Sequence, residues 1–412
     1  MCPTRCALLA LLTAFTAAHA QTVTRTLEIA APEQDRANAV VSVPWVVPDA
    51  LVNGVVTAKD DAGRDCPAQL TVLDLFGPMF KLAAGFMGRQ LVVIVPKVEK
   101  GKALKVTVTL SAGQPTGEPL RWVDEGKAYS ELRRGERPLV RYMRTPLDNS
   151  TKAQRDLTYK VFHHVFDPTG KVLLTKGPGG QFTHHRGIFF GFNRVTYDDT
   201  KKVDIWHCPV AWQADAGTLR AEGGPLVGRQ QVAIDWHGLG QDIFAKERRD
   251  LQIIELPGGL LIEWSTLLTS TGPTIKLDGD PQHAGFHYRA AGEVADKTKS
   301  QTYYVRPDGK DAPGKTRNWP GQKQHANLAW DAMSFVVADQ RYTVVYLDRP
   351  QNPKEARFSE RDYGRFGSYF EYTLTPTKPL ELRYRLWVQP GEMTVEQAAA
   401  LSTDFVTPLS VR

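Results

Sequence analysis

The amino-acid sequence predicts an all-β protein: a large antiparallel two-sheet sandwich of the supersandwich type, preceded by a smaller N-terminal β-sandwich domain. Apolar and polar residues alternate with period two through most of the chain. Turn-forming residues interrupt this alternation at short intervals, and a helical pattern occurs only near the end. A chain of 412 residues, 42% of them hydrophobic, is long enough to bury a substantial core.

The first twenty residues predict a secretory signal peptide, because Arg5 precedes an apolar run that ends in Ala18-His19-Ala20. No later segment is apolar enough to span a bilayer, so we expect a secreted or periplasmic protein without membrane insertion. The net charge of +6 is small for this length and no long Lys/Arg run occurs, which argues against a nucleic-acid partner. Two cysteines remain after cleavage, and their pairing stays open.

Residues 21–113 predict the small sandwich domain. Leu91–Val95 and Leu104–Leu110 are rich in β-branched residues, and the charged turn between them is typical of a hairpin. A linker rich in turn formers follows, and residues 120–412 then form the large domain.

In the large domain, Leu260–Leu268 and Tyr342–Leu347 predict buried strands. Tyr369–Thr375 and Leu380–Pro390 predict a hairpin whose last strand has one face in the core and the other in water. A capping-box spacing, Thr-x-x-Gln, ahead of an alanine-rich run predicts a helix near the C-terminus.

The histidines concentrate between His163 and His287, which indicates a functional site. Within that region, the segment QFTHHRGIFF is interpreted as a strand, with His184 and Arg186 on one face and His185 on the other. For each of these histidines the alternative is a core side chain bonded to a backbone carbonyl.

In the segment HAGFHYRA, strand geometry places His283, Gly285, His287 and Arg289 on one face. The two histidines would then be about 13 Å apart, too far to share a metal ion. Gly285 between them would leave space over the sheet in which a sugar ring fits.

The segment SERDYGRFG places Tyr363 beside Asp362 and Arg361, and a tyrosine in this setting can donate or accept a proton. Its alternative is a charged loop with an anchoring tyrosine. Trp206 and Trp319 add aromatic faces of the kind on which sugars stack, although strand aromatics also serve as core residues.

The segments HHRGIFFGFN, DIWHC, HAGFHYRA, RNWPG and RDYG together resemble the PmoA-like family of secreted bacterial proteins, over most of the chain after about residue 120. Members are typically encoded by bacteria that consume complex polysaccharides, so the resemblance implies a carbohydrate-related function. The positions that match the family's residues are His184, His185, Arg186, Asp204, Trp206, His283, Arg289, Trp319, Arg361, Tyr363 and Gly364.

We therefore predict an extracytoplasmic carbohydrate-active enzyme that cleaves a C–O bond in oligosaccharides, including those with uronic acid, by a lyase-like elimination. Arg186 or Arg289 would neutralise the substrate carboxylate. His184 or His287 would remove the adjacent proton, and Tyr363 would protonate the leaving oxygen. The predicted substrate-binding residues are His185, Trp206, His207, His283, Trp319 and Arg361.

Three alternatives stay open. A glycoside hydrolase needs two carboxylates, and a noncatalytic sugar-binding protein would use the same polar residues for contacts only. A zinc or copper protein would combine His184 or His185 with His207 and His283. We predict no cofactor and assign no metal ligand, with a metal ion left as this third alternative; the oligomeric state is open. The carboxylates available to a hydrolase are Asp204, Asp362 and Glu371.

Overall fold

The structure is a computed structural model that describes residues 22–412, and it confirms the all-β class. Strands account for 52% of the chain and helices for 9%, and the two largest sheets are antiparallel. The predicted signal peptide, residues 1–20, lies outside the described residues. Between residues 22 and 412, no helix is long and apolar enough to cross a membrane.

The N-terminal part contains two three-stranded sheets, with strand orders β1-β6-β3 and β2-β5-β4. Apolar side chains from both sheets form a core of their own, which includes Leu27, Val41, Val93 and Val106. The six strands are β1 (Thr22–Ile29), β2 (Arg36–Pro48), β3 (Val55–Asp60), β4 (Ala68–Thr71), β5 (Phe86–Val98) and β6 (Leu104–Ser111).

The rest of the chain adds the strands of three further sheets and two helices. The strands are β7 (Leu120–Glu125), β8 (Tyr129–Arg134), β9 (Arg137–Met143), β10 (Phe162–Val165), β11 (Ile188–Phe192), β12 (Arg194–Tyr197), β13 (Lys201–Val203), β14 (Trp212–Glu222), β15 (Val227–His237), β16 (Ile243–Leu256), β17 (Gly259–Ser270), β18 (Ile275–Asp278), β19 (Ala284–Arg289), β20 (Tyr303–Arg306), β21 (Gly309–Lys310), β22 (Trp330–Val337), β23 (Gln340–Asp348), β24 (Arg357–Arg361), β25 (Arg365–Tyr369), β26 (Tyr372–Leu374) and β27 (Leu380–Pro390). The helices are α1 (Lys152–Thr158) and α2 (Val395–Val406), and short helical turns lie at Asp49–Leu51, Leu239–Gln241, Val294–Thr298 and Lys299–Gln301.

Two large sheets form the predicted sandwich. Their strand orders are β24-β25-β19-β11-β10-β9-β8-β7 and β14-β15-β16-β17-β27-β23-β22-β20-β21, and a smaller sheet has the order β13-β12-β18-β26. Aromatic rings on facing strands interlock between the large sheets. Phe286 of β19 stacks on Tyr384 of β27 with ring centroids 4.5 Å apart, and Phe190 of β11 lies 5.5 Å from Trp264 of β17. These rings belong to the main hydrophobic core.

Both predicted hairpins are wrong. β5 pairs with β2 and β4, whereas β6 pairs with β1 and β3, so the two strands belong to different sheets. β26 pairs with β18, whereas β27 pairs with β17 and β23. The alternation of apolar residues is the same whether a turn leads back into the same sheet or across to another one, so it cannot distinguish them.

The second face of β27 is also less exposed than predicted. Arg385 and Trp387 are only 8% and 6% exposed. Helix α2 covers this face, with the Arg385 guanidinium carbon 4.8 Å from the Phe405 ring centroid. The predicted capping box at the start of α2 is present, since Thr394 and Gln397 hydrogen-bond each other's backbone N–H groups.

A further apolar cluster links the N-terminal part to the large sandwich. Val92 and Ile94 of β5 belong to the same cluster as Trp387 of β27. The predicted boundary between a small and a large domain stays a prediction. Cys66 and Cys208 are buried free thiols, so the disulfide left open by the sequence is not formed.

Candidate functional site

Three histidines from separate segments form what we call the three-histidine site. His184 precedes β11, His207 follows β13 and His283 precedes β19. The ring centroids of His184 and His207 are 4.3 Å apart, and those of His207 and His283 are 4.9 Å apart. One ring nitrogen from each residue lies within 4.8 Å of the others, and all three side chains are partly exposed. Three imidazoles at this spacing can share one metal ion.

The floor of the site is the face of the eight-stranded sheet that points away from the main core. Phe189 of β11 and His287 of β19 are register partners on that face. Trp206 packs on both, with centroid distances of 4.7 Å to Phe189 and 4.9 Å to His287. The indole therefore fixes the position of His207, which follows Trp206 directly.

The segment before β11 is not the predicted strand. Residues 181–187 form turns, and the strand begins only at Ile188. Gly187 has a φ of 48°, and a Cβ there would overlap the carbonyl oxygen of His163. The chain therefore turns sharply at a position that only glycine tolerates, and the His184 ring lies 6.2 Å from that of His283.

Two turns of the form Asp-x-x-His orient two of the rings. Asp204 accepts a hydrogen bond from the His207 backbone N–H at 2.7 Å, and its other oxygen lies 2.7 Å from His207 Nδ1. Asp280 Oδ1 lies 2.9 Å from His283 Nδ1, and Asn193 donates to Asp280 Oδ2 at 3.0 Å. An imidazole that donates its Nδ1–H to a carboxylate presents an unprotonated Nε2, which is the usual arrangement behind a metal ligand.

The pKa shifts of His184 and Asp280 favour the protonation states that a metal site needs. Burial, and next the charges of His207 and Lys160, together lower the pKa of His184 to about 2, so the ring is neutral. Its Nε2 is buried and has no hydrogen-bond partner among residues 22–412. Burial would raise the pKa of Asp280, but hydrogen bonds, that of His283 first, outweigh this and hold the pKa below its usual value.

Lys160 ties two of the histidine-bearing segments together. Its Nζ donates to the carbonyl oxygens of Trp206 and His184, the latter at 3.5 Å. Burial lowers the pKa of Lys160 to about 8. Because the Lys160 amine donates hydrogen bonds to the backbone of both segments, it holds His184 and His207 on the same side of the site.

An aromatic wall of Phe182, His185 and Tyr363 borders the site. The His185 and Tyr363 rings are stacked, with centroids 6.2 Å apart and planes 16° apart. The Phe182 ring lies 5.4 Å from His185 and 5.2 Å from Tyr363 and is 42% exposed. Phe182 has a φ of 58°, a conformation rare for a bulky residue. An exposed ring held in a strained conformation is typical of a functional surface.

The donor set fits a divalent transition metal. Imidazole nitrogens suit zinc, copper and nickel, and the two aspartates behind the rings add negative charge that favours a dication. Three protein ligands leave a coordination position open, as in catalytic rather than structural zinc sites.

The family model described as "Family of unknown function (DUF6807)" matches residues 129–403. The chain belongs to the DUF6807 family. The matched range contains the three histidines, both aspartates and the aromatic wall. A search of curated proteins found no match to this DUF6807 protein. Its resemblance to the PmoA-like family stays a prediction.

Two solved structures show a weak likeness to this DUF6807 protein. One is a protein in the glycosyl hydrolase family 38 from Enterococcus faecalis, with 12% identity and a TM-score of 0.42, covering 94% of this chain and 47% of that one. The other is an alpha-mannosidase from Enterococcus faecalis, with 12% identity and a TM-score of 0.37, covering 94% and 46%. This chain thus spans about half the length of each, and likenesses at these TM-scores carry no argument about activity.

Of the predicted catalytic residues, His184, Tyr363 and Arg289 lie at or beside the site, whereas Arg186 is bonded to backbone and His287 is buried in the floor against Trp206. Arg186 donates to the carbonyl oxygens of Thr183, Leu157 and Asp156, so its guanidinium is committed to backbone and anchors the end of α1. His287 is fully buried, with Nε2 2.8 Å from the Ala284 carbonyl oxygen and Nδ1 3.1 Å from Arg365 Nη1. Placing these two in the cleft was wrong, because a strand face shows direction but not which groups pack over it.

Among the predicted substrate-binding residues, His185, Trp206, His207 and His283 are brought together. Trp319 instead packs against the Arg357 guanidinium at 4.5 Å, and Arg361 donates to Asn318 at 2.5 Å. Both therefore belong to the neighbouring loop around Asn318.

The space predicted beside Gly285 is also filled. A Cβ at this position would overlap the carbonyl oxygen of Ser368 in β25. Gly285 has a φ of 94°, so glycine allows two strands to approach closely here and leaves no room for a sugar ring.

The sequence interpretation missed Asp280, Lys160, Phe182 and Arg365. One signal was present: Asp204-Ile-Trp-His207 and Asp280-Pro-Gln-His283 repeat the same Asp-x-x-His spacing. A carboxylate three residues before a histidine, in a turn rather than a helix, can bond both the backbone N–H and the ring. The other three residues carry no comparable local pattern.

Proposed function

We propose that this DUF6807 protein is a metal-dependent enzyme that cleaves a C–O bond in an oligosaccharide, with the three-histidine site as its centre. The observation that carries this proposal is the convergence of three imidazoles within 4.8 Å, two of them held from behind by Asp204 and Asp280. Residues with only a packing role do not need carboxylates that fix the tautomer of two of the three rings.

A zinc-type ion held by His184, His207 and His283 would supply a Lewis acid that polarises a substrate oxygen. Asp204 and Asp280 keep the rings of His207 and His283 in the ligand orientation. With its Nε2 free of any hydrogen-bond partner among the described residues, His184 would serve as a ligand and would no longer be free to act as the proton acceptor suggested by the sequence. Tyr363, stacked on His185 beside the site, stays the proposed proton donor to the leaving oxygen.

The substrate class rests on two supports. The resemblance described above favours carbohydrate, and the exposed Phe182 ring gives a sugar a surface on which to stack beside the histidines. A hydrolase that uses a carboxylate pair has less support, because Asp204 is occupied by His207 and Glu371 pairs with Arg357 at 2.6 Å.

Chelator-treated protein titrated with Zn²⁺ tests the metal, and a panel of acidic and neutral oligosaccharides with mass readout, with and without Zn²⁺, tests the reaction. We expect one zinc per chain and product only in its presence. His283→Ala should abolish both, and the matched control His237→Ala should change neither, because His237 stacks on Trp212. Zinc bound without any product would favour a noncatalytic protein, and no zinc bound would overturn the proposal.

A further inference from the structure

We propose that Arg289 and Arg365 form a subsite for the oxyanion of an acidic sugar, either a carboxylate or a sulfate or phosphate ester, beside the three-histidine site. This deepens the proposed function, on which the sugar part of the ligand rests, by naming the substrate class. The oxyanion-binding part rests on independent observations.

The first observation is a pair of like charges. Arg289 of β19 and Arg365 of β25 are register partners, directly opposite each other, and both are fully buried. Among residues 22–412, neither guanidinium is hydrogen-bonded to a carboxylate, and Asp296 acts on Arg289 only through its charge. Like charges opposite each other in a sheet repel, and a buried charge without a counterion costs free energy. Burial lowers the pKa of Arg289 to about 10, and the charge of Arg365 contributes to this.

The second observation is a set of unused donors. Arg289 Nη1 donates to the Tyr363 carbonyl oxygen, whereas its Nε and Nη2 have no partner among the described residues. Arg365 contacts His287 Nδ1 at 3.1 Å and Ser359 Oγ at 3.2 Å, and its Nε is also without a partner. Every partner of the two guanidinium groups is thus neutral. Arginine is the side chain best suited to bind carboxylate, sulfate and phosphate oxygens.

Two other buried arginines have a hydrogen-bond partner for each of their side-chain nitrogens. Arg306 is 1% exposed and forms a two-pronged ion pair with Glu360, at 2.6 Å and 2.5 Å. Arg186 is saturated by three backbone carbonyl oxygens. Arg289 and Arg365 differ from these two arginines, because each has at least one nitrogen without a partner among the described residues.

The third observation is continuity with the three-histidine site. The Arg289 guanidinium carbon lies 4.6 Å from the Tyr363 ring centroid, and the His185 ring stacks on the same tyrosine. The His185 ring lies 4.3 Å from that of His184, and neither of its nitrogens has a hydrogen-bond partner in the described chain. Unpaired donors thus lead from the histidines to the arginines. One substrate can thus place its reacting oxygen at the histidines and its oxyanion at the arginines.

Calorimetry with D-glucuronate, glucose 6-phosphate, glucose 6-sulfate and D-glucose tests the subsite, on chelator-treated and on zinc-loaded protein. We expect at least one of the charged sugars to bind about tenfold or more tightly than glucose, and Arg289→Met or Arg365→Met to remove that advantage. The rank of the three charged sugars identifies the oxyanion. Without ligand, both variants should melt at or above the wild-type temperature, because each removes an uncompensated charge. The matched control Arg306→Met should melt well below it.

Equal affinity for charged and neutral sugars, or no binding of either, would overturn the subsite. The proposal would also be overturned if Arg289→Met and Arg365→Met melted as far below the wild type as Arg306→Met does. The two arginines would then have a structural role only. Failure of the metal proposal is distinguishable: charged sugars would still bind the chelator-treated protein preferentially while Zn²⁺ does not bind.

Discussion

The three-histidine site and a second cluster of similar residue types differ in burial and in hydrogen bonding. The second cluster, which we call the buried acid cluster, consists of His325, Asp331 and Glu360, whose ligand atoms also lie within 4.8 Å of one another. All three of its residues are buried, whereas the three histidines of the first site are partly exposed. Proximity of histidine and carboxylate groups is therefore common to both regions.

The two regions differ in which of their nitrogen and oxygen atoms are already used in hydrogen bonds. In the buried acid cluster, Glu360 accepts from Arg306 at 2.6 Å and from the Arg317 backbone N–H at 2.8 Å, and His325 Nε2 lies 3.1 Å away. Arg306 thus supplies the positive charge. In the three-histidine site, carboxylates bond Nδ1 of His207 and of His283 and leave Nε2 of both rings available to a ligand. A metal site is defined by free lone pairs and charge balance, and residue type alone does not identify one.

The largest expected effect tests the structural role of the buried acid cluster. Arg306→Met leaves Glu360 and Asp331 buried without their counterion, so we expect a loss of about 3–5 kcal/mol in the free energy of unfolding. Denaturant unfolding measures it. The partly exposed His207, changed to Ala, should cost less than about 1 kcal/mol. Equal losses would remove the distinction between the two regions.

The next effect concerns metal affinity. His207→Ala removes a proposed ligand and should weaken zinc binding more than about 100-fold, beyond what the loss of an orienting residue causes. His325→Gln, in the buried acid cluster, should leave the zinc stoichiometry of the folded protein unchanged. Competition with a chromogenic chelator measures both. A drop in stoichiometry with His325→Gln would mean that the buried cluster also binds metal.

A smaller effect is expected from an orienting carboxylate. Asp280→Asn keeps the shape but removes the charge that holds His283, and we expect zinc affinity to fall about 10–100-fold. Asp242→Asn is the matched control, because Asp242 bonds Tyr197 and Lys201 away from the histidines. An unchanged affinity in Asp280→Asn would show that the Asp-x-x-His turn is only a local structural motif.

The smallest effect is a pH dependence in the buried acid cluster. Burial, and next the Glu360 charge, raise the pKa of Asp331 well above its usual value of about 3.9. The protonated form therefore stabilises the fold below about pH 3.9, and this contribution is lost as pH rises through the folded-state pKa. Relative to Asp331→Asn, wild-type stability should fall by up to about 1.4 kcal/mol for each pH unit in that window. Parallel stability curves for the two proteins would contradict the shift.

Local patterns in the sequence were sufficient for most of the predicted strands and for α2, but not for residues 181–187, which are not in a strand. Leu380–Pro390 alternates with period two and is β27, and Thr394 with Gln397 forms the capping box. The same patterns failed for strand pairing, because the partner of a strand depends on residues far along the chain. The hairpin predicted between β26 and β27 failed for that reason.

The sequence by itself determined the all-β class, the segments that carry histidine and arginine, and the two Asp-x-x-His turns, since each depends on neighbours within a few residues. Only the tertiary structure decided that His184 meets His207 and His283, because a sharp turn at Gly187 folds its segment back over the sheet. It also decided that Arg289 lies opposite Arg365, because strand register is set by packing across whole sheets.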